Sequence, residues 1–131
     1  MFKHILLPTD GSELSERALL AGIEFARSVN ARVTGVHVVA SPEQLAHEAK
    51  TRPKGILDLV EGTAKDYGVP CECLYVTGDH PSEEIIKTAV ERGCDLIWMA
   101  SRGRTGVVEL ILGGETNKVL THSTIPVLVW R

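Results

Sequence analysis

Two glycine-bearing loops are the places where this sequence could bind an anion. The first is P-T-D-G-S at residues 8–12, and the second is A-S-R-G-R-T-G at residues 100–106. Each follows an apolar run, as a loop does at the end of a buried strand. Backbone N–H groups in such a loop, with the N-terminus of a following helix, favour negative charge. The sequence therefore predicts an anion site at these loops.

The bulk composition indicates one globular domain over residues 1–131. The chain has 131 residues, of which 44% are hydrophobic and 24% charged, with a net charge of −3. A domain of this length can bury a core without disulfides or metals. The negative charge argues against a nucleic-acid partner. No apolar run could span a membrane and no signal peptide is evident, so a cytoplasmic location is expected.

The three cysteines give little indication of chemistry. Cys71 and Cys73 lie two residues apart on a predicted strand, so their side chains share one face, and Cys94 lies elsewhere. An odd number in this setting argues against a disulfide framework. We expect buried, inert thiols rather than a metal or redox site.

Five apolar, strand-like runs alternate with helical patterns. The predicted strands are residues 3–8, 32–39, 71–77, 95–100 and 126–130. Predicted helices begin after Ser12, at Ser41, at Ile56, after Pro81 and at Glu115. The expected ends of the first, third and fourth helices are Asn30, Gly68 and Gly93.

This alternation predicts an α/β fold with a doubly wound, five-stranded parallel sheet. Apolar strands separated by helices indicate a sheet covered by helices on both faces. Right-handed crossovers favour the strand order 3-2-1-4-5. Strands 1 and 4 are then neighbours, and ligands of such sheets bind where the chain direction reverses between neighbouring strands. The two loops of the predicted anion site meet at this point.

The sequence resembles the universal stress protein family over its full length. The resemblance is carried by I-L-L-P-T-D-G-S-E at 5–13, V-H-V-V at 36–39, D-L-I-W-M-A-S-R-G-R-T-G at 95–106 and the segment from 113 to 129. Nucleotide-binding members carry G-x2-G-x9-G-[Ser/Thr]. Two of these four positions match here, at Gly103 and Gly113, while Ala100 and Gly114 depart.

The resemblance implies an adenine nucleotide, ATP or its relatives AMP and ADP. It places adenine near Val38 and Asp10 near the ribose and phosphates, where the carboxylate could hold Mg²⁺. It makes the loop glycines backbone donors to phosphate, with Arg102 and Arg104 adding charge. The implied nucleotide-binding residues are Pro8, Thr9, Asp10, Val38, Met99, Ala100, Arg102, Gly103, Gly106, Gly113, Gly114, Glu115 and Thr116.

Several of these residues also have ordinary structural interpretations. Ala100 adds one methyl group to the motif, and Gly114 removes a hydroxyl that Thr116 could replace. Asp10 could cap the first helix instead of binding a ligand. Thr116 could serve the start of its own helix. His37 is expected to pack in the core rather than to do chemistry.

The last strand is predicted to form a dimer. Val127, Leu128 and Val129 form an uncharged edge, which proteins seldom leave uncovered. Dimers through this strand are common in the family that the sequence resembles. A homodimer through these residues is therefore expected.

Three functions remain as hypotheses. The first is an ATP-binding, dimeric stress-response module with at most weak hydrolysis. The second, suggested by Gly114, is a dimeric interaction protein whose phosphate site has decayed. The third is an adenine-nucleotide enzyme, and it ranks last because H-x-G-H, S-G-G-x-D-S and the G-x-x-x-x-G-K-[ST] loop do not occur in the sequence.

Overall fold

The structure is a computed structural model that describes residues 1–51, 55–101 and 114–131. Within these ranges, strands and helices alternate except where two helices follow the second strand. The elements are β1 (His4–Pro8), α1 (Glu13–Ser28), β2 (Arg32–Val39), α2 (Pro42–Thr51), α3 (Ile56–Asp66), β3 (Cys71–Thr77), α4 (Pro81–Glu91), β4 (Leu96–Ala100), α5 (Gly114–His122) and β5 (Val127–Trp130).

The strands form one parallel sheet in the order β3-β2-β1-β4-β5, which confirms the predicted fold class and topology. At the centre, β1 pairs with β4 in the register Ile5↔Leu96 and Leu6↔Ile97. On its other side β1 pairs with β2 from His4 to Pro8. The two predicted binding loops therefore leave the same edge of the sheet from neighbouring strands.

Apolar residues cover both faces of the sheet, as predicted. One core cluster joins α1 and α3 to the odd-numbered residues of β1, and it includes Ile5, Leu7, Ile23, Val60 and Trp98. The other joins α4 and α5 to the opposite face, and it includes Leu6, Val36, Ile85, Ile97 and Val119. Because side chains alternate along a strand, adjacent residues of β1 supply both cores.

Three helices end in the same way, each at a residue that the sequence predicted. Asn30, Gly68 and Gly93 have positive φ angles of 58°, 69° and 71°. The N–H of each of these residues donates to the carbonyl group three residues earlier. The N–H of the following residue donates to the carbonyl group five residues before it, in the last turn of the helix. This left-handed cap satisfies the last carbonyl groups and turns the chain into the next strand.

The close packing of α3 on the sheet depends on Gly35. A Cβ atom at this position would lie 2.9 Å from Val60 Cγ1 and 3.0 Å from Cys73 Sγ. The cysteines differ in part from the prediction, since Cys94 is buried but Cys71 and Cys73 are only half-buried. As predicted, Cys71 and Cys73 share one face of β3, with their sulfur atoms 3.8 Å apart.

The element boundaries differ slightly from the predicted ones. The last helix begins at Gly114 rather than Glu115, while β1, β4 and β5 each begin one residue later than predicted. In the parts of the chain that the structure describes, no helix combines the length and apolar character needed to cross a bilayer.

Candidate functional site

A cleft opens at the carboxyl ends of β1, β2 and β4, where the topology predicts a ligand site. It encloses a cavity of about 330 Å³. Cavities that bind small molecules usually start at about this size. Its lining includes most of the described candidate residues together with Ser12, Leu14, Ser15, Val36, His37, Gln44, Glu48, Pro81 and Ile85.

The loop after β1 is held by its own hydrogen bonds. Thr9 is buried, and its hydroxyl oxygen accepts the Gly11 N–H at 3.2 Å and contacts Ser15 Oγ at 3.0 Å. Ser15 Oγ donates to the Ser12 carbonyl at 2.9 Å, so the hydroxyl of Thr9 must donate to Ser15. The loop shape is therefore set before any ligand arrives.

Asp10 is not the cap of α1. The cap is Ser12, whose side-chain oxygen accepts the Ser15 N–H at 3.2 Å. Asp10 Oδ1 instead accepts the N–H of Ser12, two residues later in the chain, at 2.9 Å. This hydrogen bond closes an Asx turn. The exposed carboxylate lines the cavity beside the N-terminus of α1.

The start of α5 forms the wall across from this loop. Thr116 is 1% exposed, and its hydroxyl donates to the Ala100 carbonyl at 3.0 Å, which ties α5 to the end of β4. Both residues line the cavity, while Gly114 is exposed at the first position of the helix. The N-termini of α1, α4 and α5 all begin at this edge of the sheet, so their dipoles favour an anion there.

Glu115 links two helices beside the cleft. Its Oε1 accepts the Ser82 N–H at the start of α4 at 2.8 Å, and its Oε2 accepts from Lys118 Nζ at 3.3 Å. Burial opposes ionisation of this carboxyl, but the Ser82 hydrogen bond and the Lys118 charge outweigh it and lower the pKa of Glu115. Glu115 is thus a cap for α4 as well as part of the cavity wall.

His37 lies on the cavity wall with both ring nitrogens in hydrogen bonds. It is 5% exposed, and Nδ1 donates to the Thr9 carbonyl at 2.9 Å. Nε2 lies 2.9 Å from Glu48 Oε1 on α2. The residue is buried, as predicted, but it connects the binding loop to α2 instead of serving only as packing.

The structure brings eight of the predicted site residues to one cavity. They are Pro8, Thr9, Asp10, Val38, Met99, Ala100, Glu115 and Thr116. Gly114 lies nearby in sequence but is not part of the lining. Arg102, Gly103, Gly106 and Gly113, with Arg104, lie outside the described residues.

Sequence reasoning missed the two α2 residues that reach the cavity, Gln44 and Glu48. No motif marked them, because both are polar residues on a helix that buries no residue.

The described part of the cleft is acidic. Asp10, Glu48 and Glu115 line it, and no lysine or arginine is among the described lining residues. Nowhere in the described ranges do three histidine, cysteine, aspartate or glutamate residues group closely enough to hold a metal ion. A cation here would therefore need ligands from a bound anion as well as from Asp10.

Comparison with known proteins identifies relatives over the full length. Residues 1–131 match the model of the Universal stress protein family. Universal stress protein YxiE of Bacillus subtilis is 34% identical over an alignment of 149 positions, which covers all of both chains.

Solved structures give the same result. The structure of MJ0577 of Methanocaldococcus jannaschii is 35% identical, with a TM-score of 0.76, and the match covers 98% of this chain and 95% of that one. A universal stress protein from Archaeoglobus fulgidus in complex with dAMP has a TM-score of 0.77, with 100% and 98% covered. Its identity of 20% shows likeness of fold alone.

The Glu115 cap yields a prediction about stability. We expect Glu115→Gln to lower the free energy of unfolding at pH 7 by about 1 kcal/mol, because the N–H of Ser82 loses a charged acceptor. The pKa of Glu115 is lower in the folded than in the unfolded state, so its stabilisation is complete above about pH 4.3 and is lost as the pH falls through the folded pKa. Urea unfolding of parent and variant at pH 7 and pH 4 measures the difference.

The matched control is Glu24→Gln, which removes an exposed carboxylate from α1 away from the cleft. Equal stabilities of the parent and Glu115→Gln at pH 7, or a difference that grows in acid, would contradict the role assigned to Glu115.

Proposed function

The chain belongs to the universal stress protein family, and from this premise we propose that it is a cytoplasmic regulatory module that binds an adenine nucleotide. The nucleotide is ATP, ADP or AMP, and the whole of residues 1–131 acts as one domain. The observation that carries the proposal is the cavity at the carboxyl ends of β1 and β4. One side of this cavity is apolar, and helix N-termini lie on the other.

The apolar side of the cavity suits a purine base. Val36, Val38, Met99 and Ile85 line it, and Met99 is buried while Val38 keeps part of its surface exposed. A flat, mostly apolar ring gains by covering such a surface. We place the adenine against Val38, so that the sugar points towards the Thr9–Asp10 loop.

The other side suits phosphates. The N-termini of α1 and α5 supply dipoles and backbone N–H groups, and Gly114 adds an N–H without a side chain. We propose that Gly103, Gly106 and Gly113 add further N–H donors and that Arg102 adds charge.

The acidic lining suggests that a cation binds together with the nucleotide. Asp10 would repel phosphates unless it accepts ribose hydroxyls or holds a divalent cation between itself and them. We propose Mg²⁺ in that position, with Asp10 and phosphate oxygens as ligands.

The Archaeoglobus fulgidus relative supports the proposal through its fold. That protein was solved in complex with dAMP, so a sheet and helices of this arrangement can accommodate an adenine nucleotide.

We propose that the module is not an enzyme beyond weak ATP hydrolysis. Hydrolysis needs a base that can orient and deprotonate water at the γ-phosphate. The imidazole of His37, on the cavity wall, already engages Thr9 and Glu48 through its two nitrogens. Its position supports a structural role.

One observation favours a second candidate function. Gly114 stands where the nucleotide-binding motif has serine or threonine, and it is not part of the cavity lining. The second candidate is a dimeric interaction protein of the same fold with a decayed phosphate site.

We propose that two copies assemble through the free edge of β5. Within the described chain, β5 pairs only with β4, through Val127 to Trp130. The carbonyl group of Pro126 accepts the N–H of Ile97 on β4, and the carbonyl group of Trp130 accepts the N–H of Ser101, which directly follows β4. Since backbone groups alternate along a strand, Val127 and Val129 direct theirs away from β4, where a second strand could pair.

Calorimetric titration with ATP tests the nucleotide proposal. The parent should bind saturably and more tightly with Mg²⁺ than without it. In Val38→Trp the indole occupies the cavity, and the affinity should fall by about tenfold or more, which corresponds to about 1.4 kcal/mol.

The control is Val90→Trp, which adds the same group at an exposed position of α4 that does not line the cavity. Absence of binding by the parent at millimolar ATP would overturn the proposal and favour the interaction protein. Equal binding by the parent and Val38→Trp would exclude this cleft.

Replacement of Val129 by proline tests the dimer. Proline removes the outward N–H without breaking a hydrogen bond to β4, so the variant should fold but elute as a monomer. Light scattering coupled to size-exclusion chromatography measures the mass, and Val129→Thr, which keeps the N–H, should remain a dimer. A dimeric proline variant, or a monomeric parent, would exclude this interface.

A further inference from the structure

We propose that Cys71 and Cys73 form a binding site for Cu(I), with the two thiol sulfurs as ligands of one ion. The pair lies near the amino end of β3, on the face that α3 covers. The nucleotide cleft lies at the carboxyl ends of β1, β2 and β4, so the two sites are separate. The copper site therefore does not depend on the proposed function.

The two thiols are close enough for a single ion to bridge them. They project from the same face of β3, and their sulfur atoms lie 3.8 Å apart. The bond between a thiolate sulfur and a metal ion such as zinc is about 2.3 Å long, so one ion can join sulfurs up to about 4.6 Å apart. The observed separation thus admits a bridging ion without movement of the strand backbone.

The pair can be reached from solvent. Both cysteines are half-buried, and β3 is the outermost strand of the described sheet, paired with β2. Cys71 also borders a pocket of about 230 Å³ at the amino ends of the first three strands. Inert thiols are the sequence-based prediction for these residues, but their half-burial and short separation favour a role as ligands.

The charges around the thiols favour a cation over nucleophilic chemistry. Reactive cysteines usually lie beside lysine, arginine or protonated histidine, which stabilise the thiolate. Here the carboxylate of Glu61 on α3 acts on both thiols and opposes the loss of their protons. Arg32 borders the same pocket, but the alternation of side chains along β2 places it on the opposite face of the sheet. The negative charge of Glu61 attracts a metal ion.

A hydrogen bond between the thiols prepares Cys71 to bind first. Donation from Cys73 lowers the pKa of the Cys71 thiol, and the same hydrogen bond raises the pKa of Cys73. Binding of Cu(I) forms two Cu–S bonds, and each thiol that still carries a proton releases it to solvent. The copper remains Cu(I), so the step needs no oxidant or reductant.

The number of ligands selects the ion. Among the residues that the structure describes, no group of three histidine, cysteine, aspartate or glutamate side chains could hold a metal. Structural zinc sites use four protein ligands, so two thiols are too few for zinc. Thiolates are soft ligands that favour Cu(I), and two of them satisfy this ion.

A disulfide between the same residues fits the strand less well. Residues two apart on a strand have Cα atoms about 6.6 Å apart, close to the upper limit of about 6.8 Å for disulfides. The bond would also draw the sulfur atoms from 3.8 Å to about 2.05 Å and so bend the strand. The structure therefore favours a bridging ion over oxidation of the pair.

Competition for Cu(I) under anaerobic conditions tests the site. The reduced full chain is added to the coloured Cu(I) complex of bicinchoninate, and the loss of colour measures the copper that the protein takes up. The parent should take up one Cu(I) per chain. Cys71→Ser and Cys73→Ser should each lower the affinity by at least about a hundredfold, because loss of a group that only orients a metal ligand can already cost that much.

The matched control is Cys94→Ala, which removes the third thiol and keeps the pair. Cys94 is buried in the other core cluster, and burial raises the pKa of its thiol to about 11. This variant should bind Cu(I) as the parent does. Circular dichroism establishes that each variant is folded, and Cys71→Ser alone decides the outcome if Cys73→Ser is not.

X-ray absorption at the copper edge of the loaded parent should show two sulfur neighbours. Failure of the parent to take copper from bicinchoninate, or equal affinity of the parent and Cys71→Ser, would overturn the site. Uptake of half an ion per chain would also overturn it, since two copies would then share the metal.

Discussion

The pairing of β1 with β4 is the constraint on which the rest of this structure depends. It places two strands side by side whose connecting helices lie on opposite faces of the sheet, with α1 on one and α5 on the other. The connections from Pro8 to α1 and from Ala100 to α5 therefore run to opposite faces of the sheet. The carboxyl ends of β1 and β4 between them stay uncovered. The cleft is the space that this divergence leaves open.

The local chemistry keeps that space open and orders its walls. Hydrogen bonds among Thr9, Ser12 and Ser15 pair the polar groups of the first loop with one another, so the loop does not collapse into the cleft. Thr116 ties the opposite wall to Ala100. The third wall, α2, is the exception, because it is held by side-chain hydrogen bonds instead of a buried face. The site thus combines two walls that are tied to the strand ends with a third that is held by side-chain contacts.

The sequence was sufficient for the fold because its signals are local and strong. Apolar runs of strand length, with helix ends at Asn30, Gly68 and Gly93, predicted the elements, and the handedness of crossovers predicted the strand order. The same topology placed Thr9, Asp10 and Ala100 at one cavity. What could not be predicted were polar contacts between distant segments. Nothing in the sequence links Glu115 to Ser82, 33 residues away, or Glu48 on α2 to His37 on β2.

The central claim is that an adenine nucleotide occupies the cleft between β1 and β4. The most direct measurement is the change in backbone amide NMR shifts of the ¹⁵N-labelled parent chain on addition of ATP with Mg²⁺. The largest changes are expected at Thr9 to Ser12, at Val38 and at the start of α5. Changes confined to another surface, such as the groove between α4 and α5 around Lys87 and His122, would contradict it.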